Sequence, residues 1–337
     1  SWVEFSKKED GKNFYSQLPR KAYASQDGLC CVDTLHRVTI TGLEKNTTYF
    51  YRVLSQEVKE LLPYRPVLGN IVSTDIWEKP LTFTTLDGRQ ETLSIVMIND
   101  IHGKNDLQKK LLEMAPPQNV DMVVFCGDMC NYINKQSDIF TGFLDTSVGL
   151  FASRKPFVYV RGNHETRGAY ARNFFRYLAG PEGKFYYAFT YGPIRFVVLD
   201  SGEDKPDTDV EYSGLVDFDN YILEQKEWLA RELESPEFRA ASFRVVLSHI
   251  PFGKGGWYGS ERLRKQLLPL LEGARIDLML SGHNHTFGFM DKGKVTAFPI
   301  IVNSNNSVLT MFGSKDLLKV QVKQIDGKVL LEKEFSK

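Results

Sequence analysis

The stretch Phe157-Val158-Tyr159-Val160-Arg161-Gly162-Asn163-His164-Glu165 decides how this chain folds. Its first four residues are all β-branched or aromatic, and Pro156 and Gly162 bound the run. A run of this kind reads as a strand buried on both faces. A glycine-containing turn then carries an amide oxygen, an imidazole and a carboxylate away from the strand's C-terminal end. That is the end at which open α/β sheets bind ligands. The same four residues, Gly162 to Glu165, also fit a helix N-cap with incidental polar side chains. What separates the two readings is whether other strands deliver matching groups to the same edge.

Four further apolar runs do so. Leu93 to Ile98 leads into Asp100-Ile101-His102, and Met122 to Cys126 closes with Gly127-Asp128. Phe243 to Leu247 ends in Ser248-His249-Ile250-Pro251, and Ile276 to Leu280 ends in Ser281-Gly282-His283-Asn284-His285. Amphipathic helical stretches alternate with these runs. One starts near Asn105; another covers Asn220 to Ser235, with Ile222, Leu229 and Leu233 near one face. Strand and helix in alternation mark an α/β domain, which begins at about Leu93. In extended chain, Asp100 and His102 point the same way and can converge on one atom, although Asp100 also suits the helix N-cap. Asp128 can likewise cap a helix, bind a ligand, or both.

The chain has six histidines. Five of them, His102, His164, His249, His283 and His285, fall at or just beyond the ends of predicted strands. One histidine in such a place is ordinarily structural, but five in one positional class point to a common site. Neutral imidazoles and carboxylates are favoured ligands of first-row transition metals. Eight ligand-type groups suggest two ions.

Composition narrows the partners. The 337 residues carry 42 basic and 42 acidic side chains, and 42% are hydrophobic. The neutral balance gives no support for nucleic acid or an anionic membrane as partner. No apolar run approaches the roughly 20 residues that span a bilayer. No signal peptide is visible, but Ser1-Trp2-Val3-Glu4-Phe5 already reads as a strand, so the chain is expected to be a processed or trimmed product. The four cysteines, Cys30, Cys31, Cys126 and Cys130, imply no disulfide framework, and Cys126 reads as a buried hydrophobe.

Residues 1–88 are strand-rich and without long helical patterns. His36 to Leu43 alternates into a turn, Thr47 to Val53 alternates again, and Pro80 to Thr85 supplies a last strand. Thr41-Gly42-Leu43, a polar turn, then Thr48, Tyr49, Tyr51, Arg52 and Val53 resembles fibronectin type III domains, with Lys45 where proline is usual. That resemblance covers about fifty residues and implies a small all-β module that lacks its first strands. No chemistry is visible in it. A short polar linker at about 86–92 leads into the second domain, 89–337.

The five motifs of that second domain, Asp100-x-His102, Gly127-Asp128, Gly162-Asn163-His164-Glu165, His249 and Gly282-His283-x-His285, resemble the calcineurin-like metallophosphoesterase superfamily in type and order. The resemblance covers about residues 93–310. It implies a four-layer α/β/β/α sandwich and a binuclear metal centre of Fe, Mn or Zn. Carried over motif by motif, Asp100, His102 and His285 would bind the first metal and Asn163, His249 and His283 the second, with Asp128 bridging. A metal-bridging hydroxide would attack the phosphate ester, and His164 would act as general acid at the leaving oxygen. Glu165 would support its neighbours. The fibronectin-like module points toward the purple acid phosphatase branch and, by resemblance alone, toward an exported protein: periplasmic, cell-surface or secreted.

Other segments bear on substrate. The stretch 200–219 is rich in Asp and Glu and reads as a solvated loop or as a loop over the metal edge, disfavouring polyanions. Gly253 to Gly259 follows His249 closely; Trp257 or Tyr258 could stack on an organic group, or pack in a core. Arg167 could contact phosphate or form a surface ion pair. Leu317 to Val322 and Lys328 to Phe335, joined by the Asp326-Gly327 turn, read as a hairpin completing a second sheet. The substrate expected is a small phosphorylated molecule. The alternatives are a phosphodiesterase or nuclease, the latter weakened by the absence of a basic groove pattern, and a non-catalytic surface-binding protein working through the fibronectin-like module.

One departure from the purple branch yields a prediction. The tyrosine ligand expected three residues after the bridging Asp is Asn131 here, with Tyr132 one residue too late, while His102 is a histidine that branch usually lacks. An imidazole thus replaces the phenolate. Iron-loaded protein should show no intense tyrosinate charge-transfer band in its visible spectrum; such a band would contradict the reading.

Overall fold

A computed structural model describes residues 1–7, 19–75, 81–86, 88–253 and 257–337. The chain forms two compact units, Ser1–Arg89 and Gln90–Lys337.

The first unit is all-β. It comprises β1 (Trp2–Lys7), β2 (Arg20–Tyr23), β3 (Ser25–Gln26), β4 (Leu29–Cys30), β5 (Thr48–Glu60), β6 (Val67–Ser73) and β7 (Leu81–Thr84). The five-stranded sheet runs β2-β1-β5-β6 with β7 also on β5, all antiparallel, and among the described residues β3 pairs with β4 alone. Tyr49 is fully buried, stacks on Phe83 at 5.4 Å, and accepts a hydrogen bond from the Glu44 backbone N–H at 2.9 Å. His36 to Leu43 stays outside the ladders. Its alternation reports which way side chains face, whereas a ladder also needs a free neighbouring edge. Pro80 lies outside the described residues.

The second unit contains β8 (Thr92–Ile98), β9 (Met122–Cys126), β10 (Phe157–Val160), β11 (Tyr187–Tyr191), β12 (Ile194–Leu199), β13 (Phe243–Ser248), β14 (Leu278–Ser281), β15 (Gly288–Met290), β16 (Ile300–Val302), β17 (Ser307–Ser314), β18 (Leu317–Gln324) and β19 (Val329–Ser336). They form two six-stranded sheets, β10-β9-β8-β17-β18-β19 and β11-β12-β13-β14-β16-β15. Strands β8, β9 and β10 are mutually parallel, as are β12, β13, β14 and β16.

The period of two explains the layering. Ile95 and Met97 join Phe196, Val198, Val245 and Leu247 in the core between the sheets. Val96 and Ile98 face the other way, into a core shared with Leu111, Phe143 and Phe151 from the helical segments 105–114 and 136–152. On the far side, Val197, Val246 and Met279 pack with Ile222 and Leu229 of the helix Phe218–Leu233 and with Leu263 of the helix Tyr258–Gln266. Strands covered on both faces must be apolar throughout, which is why the motif-bearing runs lack alternation. The outcome is the α/β/β/α sandwich expected from sequence.

Two details differ from expectation. The hairpin β18–β19 joins β8 through β17 and so extends the first sheet, rather than belonging to a second. The polar stretch after β12 is not simply solvated: Asp200, Ser201, Glu203 and Asp204 are buried. Asp200 meets Arg161 at 2.5 Å and accepts from Tyr221 Oη at 2.8 Å, and a buried carboxylate is tolerated only with such partners.

Phe196 is fully buried and stacks on Phe189 at 4.9 Å. Phe196→Ala should lower unfolding free energy by about 3–5 kcal/mol in denaturant titration; a loss below about 1 kcal/mol would contradict this packing.

Candidate metal centre

The parallel strands of each sheet send their C-terminal loops to one edge, and backbone pairing continues past the strands. Asp100 N–H donates to Gly127 O at 3.0 Å and His102 N–H to Asp128 O at 2.9 Å, so the first two motif loops run side by side. In the other sheet Gly282 N–H donates to His249 O at 3.0 Å. The sheets are then tied across the core. His249 Nδ1 donates to Cys126 O at 2.7 Å, and Asp100 Oδ2 accepts from His283 N–H at 2.9 Å.

The expectation that Asp100 and His102 converge because the chain is extended is not met. Both lie in the left-handed region, at φ 54° and 50°. They converge through a turn rather than through a pleat. Among the described residues, eleven non-glycine residues have positive φ, and five of them are Asp100, His102, Asp128, His283 and His285. Asp and His tolerate this region better than most residues, but each such position is sparsely populated and marks a local constraint. The motif glycines admit no side chain either. A Cβ on Gly162 would overlap Asp128 Oδ1, and one on Gly127 would overlap the His249 ring.

The side chains converge in overlapping sets. Asp100, His102 and His285 bring ligand atoms within 4.8 Å of one another, as do Asp128, His249 and His283. Asp128 also forms such a set with His102 and His164. His102 Nε2 and His285 Nε2 lie 3.1 Å apart, and His285 Nε2 is 3.3 Å from Asp100 Oδ1. His249 Nε2 is 3.2 Å from Asp128 Oδ2, and Asn163 Oδ1 is 3.2 Å from His283 Nδ1.

Charge and hydrogen bonding both fit a cation here. Asp100 Oδ1, His249 Nε2 and His283 Nε2 are buried without a hydrogen-bond partner among the described residues. Buried polar atoms are nearly always satisfied, so these need a partner of another kind. Two imidazole nitrogens bound at about 2.0–2.1 Å to one ion at a cis angle stand about 3 Å apart, as those of His102 and His285 do. Burial disfavours the imidazolium of His249, yet the Asp128 carboxylate outweighs it and raises the group to about 10. The Asp100 carboxylate, with Oδ1 3.3 Å from the ring Nε2, raises His285. Burial lowers His102 and takes His283 to about 4. Burial resists ionisation of Asp128, but the facing His249 and His164 hold it well below the ordinary carboxylate range. Two buried carboxylates thus draw positive charge onto whatever ring is nearest, the task a metal ion performs in an imidazole–carboxylate set.

Glu165 is fully buried and accepts backbone N–H bonds from Asp128, Cys130 and Gly162, each at 2.9 Å. Burial and the nearby Asp128 raise it to about 7. It holds the Gly127-Asp128 and Gly162-Asn163 loops in one frame. His164 N–H donates to Asp128 Oδ1 at 3.0 Å, and its Nδ1 lies 2.7 Å from Asn131 O. Asn131 therefore acts through its backbone carbonyl. Tyr132 is 54% exposed. Arg167 makes no plain surface pair: it is half-buried, grips Glu203 at 2.9 and 2.8 Å, reaches Asp204 at 3.2 Å, and places Nη1 3.3 Å from His164 Nε2. The four cysteines are free.

Asn99 and Asn303 escaped the sequence, which shows Glu203 only as part of the acidic stretch 200–219. Asn99 Nδ2 donates to Asp100 Oδ2 at 2.5 Å, and Asn99 exchanges bonds with Asn303 at 2.8 and 3.1 Å. Glu203 anchors Arg167 and also accepts from Thr166 Oγ1 and Tyr212 Oη. Asn99 abuts the first motif, but 204 residues separate it from Asn303, and nothing local links them.

The comparisons with known proteins agree with this geometry. The family model for calcineurin-like phosphoesterases matches residues 93–287, more than half the chain. Purple acid phosphatase 22 of Arabidopsis thaliana is 24% identical over 310 residues, covering 85% of this chain and 60% of that protein. Purple acid phosphatase 23 of the same plant is 24% identical over 325 residues, covering 85% and 63%. The chain therefore spans about three-fifths of the length of these relatives. Among solved structures, a purple acid phosphatase from yellow lupin (Lupinus luteus) seeds superposes with a TM-score of 0.69 at 15% identity, covering 99% of this chain and 69% of that one. GAP50, the anchor in the inner membrane complex of Plasmodium, gives 0.50 at 16% identity, over 73% and 89%. With all five strand-end motifs gathered at one edge of the sandwich, the chain belongs to the calcineurin-like phosphoesterase family.

Proposed function

We propose that this chain hydrolyses phosphate esters at a two-metal centre. The observation that carries the reading is the gathering of buried, unpartnered carboxylate and imidazole atoms around Asp128. Asp100, His102 and His285 would hold one ion and Asn163, His249 and His283 the other, with Asp128 between them. Nitrogen and oxygen donors of this mix suit Fe, Mn or Zn. When bound, two such ions neutralise phosphoryl oxygens and make a water acidic enough to supply the nucleophile.

The protein's own groups do the remaining work. His164 is fixed through Nδ1 on Asn131 O, which leaves Nε2 as the atom that can hold a proton for the departing alkoxide. Arg167 is locked by Glu203 and Asp204 rather than offering a free guanidinium. Glu165 keeps the two central loops in register. The substrate is a small phosphorylated molecule, and the acidic stretch after β12 disfavours nucleic acid. Residues 1–88 are read as a fibronectin type III-like domain and 89–337 as the phosphoesterase domain; by that likeness the protein is read as exported. No helix among the described residues is long and apolar enough to cross a membrane.

Protein loaded with Mn²⁺, Fe²⁺ or Zn²⁺ should release p-nitrophenol from p-nitrophenyl phosphate or its bis ester; inactivity with all three metals would contradict the reading. His164→Ala should keep its metal content and lose about 10²–10⁴-fold in kcat, whereas full activity would remove His164 from the role. Asp128→Asn should lose metal at both positions by elemental analysis. Glu165→Ala strands three buried N–H groups, each costing about 1–3 kcal/mol, so its Tm should drop and its metal affinity fall roughly 10–100-fold. An unchanged melt would show that the frame does not depend on Glu165.

A further inference from the structure

We propose that Glu203 is a positioning residue for His164: together with Asp200 it clamps the loop 161–167 at both ends and sets the imidazole where the leaving alcohol takes its proton. The inference rests on the phosphoester-hydrolase reading and on the role given to His164 above, and it names what aims that ring.

The need for a clamp follows from the local backbone. His164 opens a single 3₁₀ turn, His164–Thr166. Turns this short carry little stability of their own. The two backbone bonds that close it are long: Thr166 N–H to Asn163 O and Arg167 N–H to His164 O, both at 3.2 Å. The imidazole is 25% exposed and lines the cavity of about 540 Å³ beside the centre. Its Nδ1 contact with Asn131 O fixes how the ring is turned, but where the ring stands depends on the backbone beneath it. A misplacement of about 1 Å at a reacting group costs on the order of 10²-fold in rate.

Two arginines bracket the loop, and both grip one stretch of the other sheet. Arg161, the first residue after β10, places Nη2 2.5 Å from Asp200 Oδ2. Asp200 is itself held. Its Oδ1 accepts from Gly202 N–H at 3.0 Å, and Gln225 binds both its backbone N–H and its carbonyl at 2.8 Å. Behind His164, Glu203 is 1% exposed, and its carboxylate accepts from Thr166 Oγ1 at 2.6 Å, Arg167 Nε at 2.9 Å, Arg167 Nη2 at 2.8 Å and Tyr212 Oη at 2.9 Å. Asp200 and Glu203 follow β12 of the second sheet, whereas the loop follows β10 of the first. Carboxylates buried this deeply persist only where their bonds are made, and most of these bonds end on the loop that carries His164.

A general acid matters more as the departing alcohol becomes a poorer leaving group. p-Nitrophenolate departs with little help, whereas phenolate needs the proton. A His164 out of place therefore slows a phenyl ester more than a p-nitrophenyl ester, while a change that only weakens the fold slows both alike.

The test uses the metal-loaded full chain with p-nitrophenyl and phenyl esters of whichever phosphate class, mono or di, the wild type cleaves. Glu203→Gln should keep the wild-type metal content and a KM within about twofold, lower kcat about tenfold or more on the phenyl ester, and lower it about threefold or less on the p-nitrophenyl ester. In the His164→Ala background the same substitution should cost no more than about a further twofold, because residues that act through one group are not additive. Thr166→Val, which removes one bond to Glu203, is read the same way if Glu203→Gln does not fold, and Thr166→Ser should hold the wild-type rates. Equal losses on the two esters, loss of metal, or full additivity with His164→Ala overturns the positioning role and leaves the hydrolase reading standing. A wild-type chain that cleaves no ester overturns both.

Discussion

The Asp128 carboxylate is the constraint on which the site depends. It is buried at a left-handed position directly after β9, where a carboxylate cannot stay charged without compensation. Its own N–H is taken by Glu165, one oxygen accepts from His164 N–H, and the other lies 3.2 Å from His249 Nε2. Removing His249 would leave an uncompensated buried charge, a far larger penalty than the net worth of one contact. One residue thus ties together the loops after β9, β10 and β13, drawn from both sheets.

The sandwich and the site divide their duties. The core between the sheets is apolar and close-packed, and it supplies the stability that the edge spends. At that edge the chain accepts five left-handed Asp and His residues and several unpaired polar atoms. Constraint of this kind persists only where the surroundings over-determine it, and it clusters where a ligand is held. Glu165, the Asn99–Asn303 pair and the His249 bond to Cys126 O are the struts that over-determine it here. In the proposed reading, bound metals satisfy the atoms those struts hold in place.

Much of this was legible in the residues. Continuous apolar runs such as Met122 to Cys126 announced strands covered on both faces, and the polar groups after them announced the edge. The histidines were informative because so many of the few in the chain share one positional class. The rest was hidden for identifiable reasons. The β11–β12 hairpin was not read as part of the α/β pattern, although it adds two strands to the second sheet. The sheet to which β18 and β19 belong is set by which edge is free, not by their alternation. Convergence of Asp100 with His102 depends on φ, which sequence does not display. Partnerships such as Asn99 with Asn303 and Arg167 with Glu203 join segments far apart in the chain. Burial of Asp200 and Glu203 contradicted the ordinary reading of an acidic loop because their cationic partners, Arg161 and Arg167, lie some forty residues upstream.

The central claim is that one carboxylate is shared by two metal ions. Electron paramagnetic resonance of the Mn²⁺-loaded protein, titrated to saturation, measures this directly. Two ions with Asp128 common to both would give an exchange-coupled pair at two Mn²⁺ per chain. An isolated six-line Mn²⁺ signal at saturation, with one ion per chain, would contradict it.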